Sequence, residues 1–171
     1  MIIAISGTPG TGKHTIASIL AKKFGYKVVD VNRLLRGRKE ISVKELNRLV
    51  TPAISDGTII VSHLSHLLES KRIDVFIVLR CDPAVLSRRL KRRRYGADKI
   101  HDNAVFEAID GTYLEAKRLH KNVVQVDSTS RKHAVADMIF DHIKNGNPVK
   151  KFATDYSGYL LGLEGTYRKN K

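Results

Sequence analysis

The chain is poor in several residue types. It has no tryptophan, one cysteine, two methionines and four prolines in 171 residues. The single Cys81 excludes an internal disulfide framework and suits a reducing cytoplasm, the expected compartment. No apolar run approaches the ~18 residues that a membrane span needs, so no membrane partner is expected. The opening MIIAIS has no basic flank, and glycines follow at once. It reads as a buried strand and not as a signal peptide. Acidic residues are scarce too: 17 Asp and Glu stand against 31 Lys and Arg, a net charge of +14. That excess favours polyanions, either nucleic acid or nucleotide phosphates. The alternative is a basic proteome or a solubility requirement.

The apolar residues are arranged as short runs that alternate with helical stretches, which argues for βαβ units and a parallel sheet. Five strands are predicted: Ile2–Ser6, Tyr26–Val31, Thr58–Ser62, Asp74–Arg80 and Val123–Asp127. Between them, Ile16, Ile19, Leu20 and Phe24 recur at helical spacing before Gly25. Arg33 to Val50 yields one short amphipathic helix, with Leu46, Leu49 and Val50 as its apolar side. Asp82-Pro83 is a helix start, the acid at the cap and the proline at the first helical position. Asp102 to His120 is predicted as one long helix, and Ser130 to Lys144 as the last. The expected fold is a three-layer α/β domain built on a five-stranded parallel sheet. No internal repeat, low-complexity tract or Ser-His-Asp arrangement is evident.

Between the first strand and the first helix stands GTPGTGKHT, Gly7 to Thr15. A strand, a glycine-rich turn and a helix start are the setting of a phosphate-binding loop, G-x-x-x-x-G-K-[ST]. Gly10 and Gly12 let the backbone curl with its N–H groups inward, and the helix N-terminus adds its dipole. Lys13 brings a full positive charge to the β- and γ-phosphates of a nucleotide. The alternative is a turn that merely joins strand to helix. His14 occupies the place of the hydroxyl that helps hold Mg²⁺ in the full motif. A neutral imidazole suits that hard ion poorly, and Thr15 is turned away by about 100° on the helix.

GTPGTGKHT is also similar to the loop of adenylate kinases, which read G-x-P-G-x-G-K-G-T. With IIVSHLSH, VLRCDPAVLSRRL and RRRYGADKIHDN, followed by Glu107, the chain resembles the small adenylate-kinase-like ATPases of ribosome biogenesis. That family includes archaeal members and the eukaryotic nuclear adenylate kinase that binds coilin. The resemblance spans about residues 1–145. It implies a phosphate-loop kinase core over 1–147, with a short monophosphate-binding region near 30–50 and a small lid near 92–102. It implies ATP with Mg²⁺ as donor and AMP as acceptor, or water in an ATPase reaction. Small-subunit ribosomal protein and rRNA are the implied partners. By position, Gly10, Gly12, Lys13, His14 and Thr15 match the ATP loop, and Arg93 the lid arginine. Lys132 falls near the adenine-contacting loop, and Arg36, with Arg33 beside it, is the candidate for the acceptor phosphate. His63 matches the histidine of an Asp-x-His element that orients metal and water. The acid of that element is replaced by Val61, so both usual anchors of the ion are changed. Asp30 and Asp82, at strand ends, are the substitutes the sequence offers.

The run Arg88, Arg89, Lys91, Arg92, Arg93, Arg94 exceeds what one nucleotide needs. Arg93, with Arg89 second, is assigned to nucleotide, and the others to solvent or RNA. His14, His63 and His66 form one joint hypothesis of phosphate hydrogen bonding, water positioning or a soft-metal site, with surface or capping roles as the alternative. No metal-ligating residue is assigned. Cys81 reads as a small core residue. The basic, aromatic tail 148–171 lies beyond the resemblance, and its apolar content predicts docking on the body or on a partner. Two further functions fit the same residues: a nucleotide-controlled assembly factor with negligible catalysis, and a general RNA-binding protein that keeps the loop.

Overall fold

The computed structural model describes residues 1–38, 40–69, 71–149, 155–156 and 158–160. Five strands, β1 (Ile2–Ser6), β2 (Lys27–Asp30), β3 (Thr58–Val61), β4 (Val75–Arg80) and β5 (Val123–Asp127), pair in the order β2-β3-β1-β4-β5. Every pairing is parallel. The central strand β1 is buried along its whole length, which is why it reads as an unbroken apolar run. Its side chains alternate between two cores. Ile3 and Ile5 pack with α1 (Lys13–Phe24) and α7 (Lys132–Asn145), through Ile16, Leu20, Val135 and Ile139. Ile2 and Ala4 face α2 (Val31–Leu35) and α3 (Val43–Val50), through Val31, Leu35, Leu46 and Val50. Helices on both faces make the three-layer α/β architecture, and all five predicted strands are present within one or two residues.

Two helix predictions are corrected. The stretch 33–50 holds two helices, because Arg36 turns left-handed at φ 48° to close α2. Ser42 then starts α3 with a reciprocal capping box to Glu45. The stretch 102–120 is also two helices, α5 (Ala97–Ala108) and α6 (Gly111–Leu119). They part at Asp110, which adopts φ 60° and ion-pairs with Arg80. The last helix begins at Lys132, two residues later than predicted.

Asp82 caps α4 (Pro83–Arg92) by accepting from the Val85 N–H at 2.9 Å. Cys81 is fully buried between α4 and α5 with Leu86 and Leu90. Among the described residues, no helix is long and apolar enough to cross a membrane. Of the tail, Tyr156 is buried and the Tyr159 hydroxyl lies 3.4 Å from Ser87 Oγ on α4. Its remaining aromatics, Phe152 and Tyr167, lie outside the described residues.

Candidate active site

The C-terminal end of β1 opens into the glycine loop, where open α/β sheets place their ligands. Gly7, Gly10 and Gly12 hold φ of 144°, 98° and 92°. At Gly12 the constraint is also spatial: a Cβ there would stand 2.5 Å from Lys132 Cε. At Gly10 it would stand 2.8 Å from Leu86 Cδ1. The loop is therefore shaped by its own backbone and by packing from two other helices.

A cavity of about 460 Å³ lies over the loop. Gly7, Thr8, Pro9, Gly10, Lys13 and His14 form its floor. Arg93, Tyr95, Lys99, Asn103 and Phe106 rise along one side, and Asn32 and His63 stand opposite. Three cations line this space and none of the described lining residues is acidic, so the cleft is made for an anion.

Lys13 is 6% exposed, and its Nζ donates back to the Gly7 carbonyl at 3.2 Å. Burial, then the neighbouring charge of Arg93, lowers its pKa from 10.5 to about 8. A phosphate would replace that carbonyl as a partner of opposite charge. His63 stands at the mouth, and partial desolvation, followed by the charge of Lys13, holds its pKa below the usual value. It is neutral at pH 7 and open to hydrogen bonding.

The other predicted residues separate by position. His14, among the lining residues, is exposed, its Nε2 3.3 Å from Asp30 Oδ2. Thr15 is exposed on the outer side of α1, in a groove with His133 rather than in the cleft. Lys132 lays its stem over Gly12 while its Nζ donates to the Ser128 carbonyl. Burial, then Arg89, lowers the Lys132 pKa to about 8. Arg89 points inward as a brace, donating to the Thr129 carbonyl at 2.8 Å and lying 3.2 Å from Cys81 Sγ. Arg36 is exposed at the end of α2 and does not line the cavity, and Arg33 lies 3.9 Å from Asp30.

The histidines do not act together. His66 is 3% exposed, its Nδ1 2.8 Å from Ser6 Oγ and its Nε2 2.7 Å from Glu115 Oε2. A Ser–His–Glu alignment thus exists that the sequence reading did not find, its members being far apart along the chain. Ser6 is 2% exposed, so its hydroxyl is not presented to a substrate. The alignment ties the end of β1 to the turn after β3 and to α6. Among the described residues, no group of three or more His, Cys, Asp or Glu is placed to hold a metal ion.

Val61 is fully buried beside Ile5 and Ile16. Val61 therefore offers Mg²⁺ no ligand, and with no cluster of ligating groups among the described residues the ion fits best as one carried in by a bound phosphate group. Asp82 is engaged as a helix cap. Asp30 is the acid that flanks the loop: its Oδ1 caps α2 from Asn32 N–H at 3.0 Å, and its Oδ2 meets His14.

Sequence reasoning missed the wall formed by Tyr95, Lys99, Asn103 and Phe106. The 4- and 3-residue steps of the last three on one helix face were the available signal. It also missed the partners of Glu107, a buried carboxylate beneath the loop.

A parallel α/β sheet whose central strand runs into a lysine-bearing phosphate loop defines the class of phosphate-loop nucleotide-binding proteins. Residues 3–110 match the family described as an AAA domain. The chain is 35% identical over 168 residues to a protein of Pyrococcus abyssi named "Putative adenylate kinase", covering 92% of each. It is 39% identical over 135 residues to one of the same name from Archaeoglobus fulgidus, covering 75% of this chain and 74% of that one. The chain belongs to this family of archaeal adenylate-kinase-like proteins. Its fold is shared with shikimate kinase from Bacteroides thetaiotaomicron, at a TM-score of 0.62 and 15% identity, covering 84% of this chain and 98% of that one. The YorR protein of Bacillus subtilis, solved with phosphorylated GDP, matches with a TM-score of 0.63 at 17% identity, covering 85% and 97%.

Proposed function

We propose that this protein transfers the γ-phosphoryl group of MgATP to AMP, giving two ADP, and hydrolyses ATP when water takes the acceptor's place. The observation that carries this reading is the cleft itself: Lys13, Arg93 and Lys99 over a glycine loop, with no acid among the described lining residues. The loop amides and Lys13 hold the β- and γ-phosphates. An oxygen of the acceptor phosphate attacks the γ-phosphorus, and the bond to the β-bridging oxygen breaks, leaving ADP. Arg93 meets the charge spread over the transferring group. Mg²⁺, brought with ATP, supplies further charge neutralisation, and Asp30 is the protein carboxylate beside that place. No general base is required, since positioning and electrostatics carry most of phosphoryl transfer. In the hydrolytic reaction neutral His63 orients the attacking water. The monophosphate region near 30–50, with Arg36, and the lid near 92–102 close on the two nucleotides.

The test is ADP formation with and without AMP, in wild type and Lys13→Ala, alongside ATP binding. AMP-dependent ADP production that disappears in Lys13→Ala supports the kinase. An absence of ATP binding to the wild type overturns it. A second reading, a nucleotide-controlled assembly factor with little turnover, is favoured by the burial of Val61 in apolar core. It predicts tight ATP binding without ADP formation. In either case the setting we propose is cytoplasmic small-subunit ribosome maturation, with a ribosomal protein and rRNA as partners. The +14 charge and the exposed Arg88, Lys91, Arg92 and Arg94 support it. Binding to rRNA that weakens steeply with salt and survives Lys13→Ala is the expected result.

A further inference from the structure

One buried carboxylate joins the floor of the cleft to its wall. Glu107, 1% exposed, lies in the last turn of α5. Its Oε2 accepts from the hydroxyl of Thr8, a loop residue 2% exposed. Its Oε1 accepts from Arg80 Nε at 2.7 Å and from the Cys81 N–H at 3.0 Å. Arg80, itself 1% exposed, also donates to the Glu107 carbonyl at 2.8 Å and to Gln125 Oε1 at 2.7 Å, and it ion-pairs with Asp110. The helix that carries Glu107 begins directly after Arg93 and Tyr95, and it turns Lys99, Asn103 and Phe106 into the cavity.

Stability alone does not account for this arrangement. A buried ion pair is often no better for stability than apolar residues of the same volume. An acid beneath a loop that receives phosphate also repels the ligand. Its geometry has a different logic: both carboxylate oxygens are committed, and one of them is spent on the phosphate loop. A loop whose amides must converge on an anion gains from being fixed before the anion arrives.

We propose that Glu107 is a positioning residue for nucleotide phosphate binding, fixing the loop through Thr8 and fastening it to the helix that bears Lys99, Asn103 and Phe106. The proposal rests on the nucleotide reading of the same cleft, but not on the identity of the acceptor. A second effect has the same direction. Lys13 is faced by Arg93, which disfavours its charged form, and by Glu107 and Asp30, which favour it. His63 and His14 line the same cavity. Removing the Glu107 charge therefore makes Lys13 give up its proton at lower pH.

The experiment is calorimetric binding of MgATP across pH 6 to 9, with melting of the free protein, for wild type, Thr8→Val, Thr8→Ser and Glu107→Gln. Thr8→Val removes only the hydroxyl, and weakening of about tenfold is expected, the value of a hydrogen bond to a charged group. Thr8→Ser keeps the hydroxyl and is expected to bind within about twofold of wild type. In Glu107→Gln the loss of affinity at alkaline pH begins at lower pH than in wild type. Wild-type affinity in Thr8→Val overturns the proposal, as does equal weakening in Thr8→Ser or an unshifted profile in Glu107→Gln. Should Glu107→Gln fail to fold with Arg80 unpaired, the two Thr8 variants still decide. Wild type that binds no ATP removes the nucleotide reading as well, whereas wild-type binding with an indifferent Thr8→Val removes this proposal alone.

Discussion

Asp30 and Val61 are register partners at the C-terminal ends of β2 and β3. Val61 is fully buried, whereas the Asp30 side chain keeps 20% of its exposure and meets His14 at 3.3 Å. Where the family resemblance leads one to expect an acid on β3, this chain has a core valine, and a carboxylate stands one strand across. A buried ionised acid at position 61 would carry a large desolvation cost. The same charge on the edge strand remains hydrated and hydrogen-bonded.

Asp30→Asn isolates that charge. Asparagine caps a helix about as well as aspartate, so the melting temperature is expected to stay at the wild-type value. Half-maximal turnover is expected to need about tenfold more Mg²⁺, the scale on which supporting groups tune a metal. A titration of ADP formation against Mg²⁺ at fixed ATP reads this directly. A superimposable curve would show that the carboxylate has no part in handling the ion.

Lys13 gives two pH dependences of opposite sign. Its pKa is lowered to about 8 in the folded protein, so above pH 8 the free protein loses the cation that phosphate needs. ATP affinity is expected to fall as pH rises from 7 to 9, beyond the change due to the nucleotide itself. For folding the sign reverses. Between about 8 and the ordinary 10.5, the unfolded chain binds more protons at this site than the folded one. The contribution of Lys13 to stability therefore rises with pH across that window. In Lys13→Ala both dependences vanish, and affinity is expected to drop by about 10²–10³-fold. Calorimetric binding and thermal melts at pH 7, 8 and 9 measure both effects on the same samples.

His63 is held neutral at pH 7, first by partial desolvation and then by the charge of Lys13. A neutral imidazole positions water, and an imidazolium does not accept its proton. At saturating ATP, where bound phosphate keeps Lys13 charged, AMP-independent hydrolysis is expected to be flat from pH 7 to 8 and to decline only below the ordinary histidine range. His63→Ala is expected to lower that hydrolysis by about 10²-fold, the range of a positioned group, while AMP-dependent transfer falls much less. Equal losses in both reactions would assign His63 to nucleotide binding instead of water.

The parts of the structure that were legible in the sequence are those whose cause is local. Buried parallel strands declare themselves as apolar runs, and the phosphate loop as glycines at fixed offsets before a lysine. Cys81 and Asp82-Pro83 follow from the same short-range logic. What was not legible depends on partners far along the chain. Helix periodicity continues through residues 102–120, and only the Arg80 ion pair with Asp110 shows why α5 and α6 part. Thr8 and Glu107 are 99 residues apart. Nothing in the composition of either segment announces a hydrogen bond between them. The basic run from Arg88 to Arg94 is the intermediate case: its chemistry was evident, and the division of labour within it was not.

That division gives a crossed expectation for two arginines of one run. Arg89 turns inward, its guanidinium holding the Thr129 carbonyl at 2.8 Å and the Ser128 carbonyl at 3.4 Å. It also reaches the Gly10 carbonyl at 3.4 Å, so it binds the loop after β5 to the phosphate loop. Arg93, one turn later, makes the exposed side of the cleft. Arg89→Ala leaves those part-buried carbonyls without their donor, at about 1–3 kcal/mol. The melting temperature is expected to fall by several degrees, since 1 kcal/mol corresponds to roughly 2–4 °C at this chain length. Arg93→Ala is expected to leave melting unchanged and to lower kcat by about 10²–10³-fold, as the loss of a charge aimed at the transferring phosphoryl group does. Thermal melts and steady-state kinetics on the two variants check both halves. Arg93→Ala with wild-type kcat would remove that residue from the reaction, and Arg89→Ala with wild-type melting would show that its hydrogen bonds do not brace the loop.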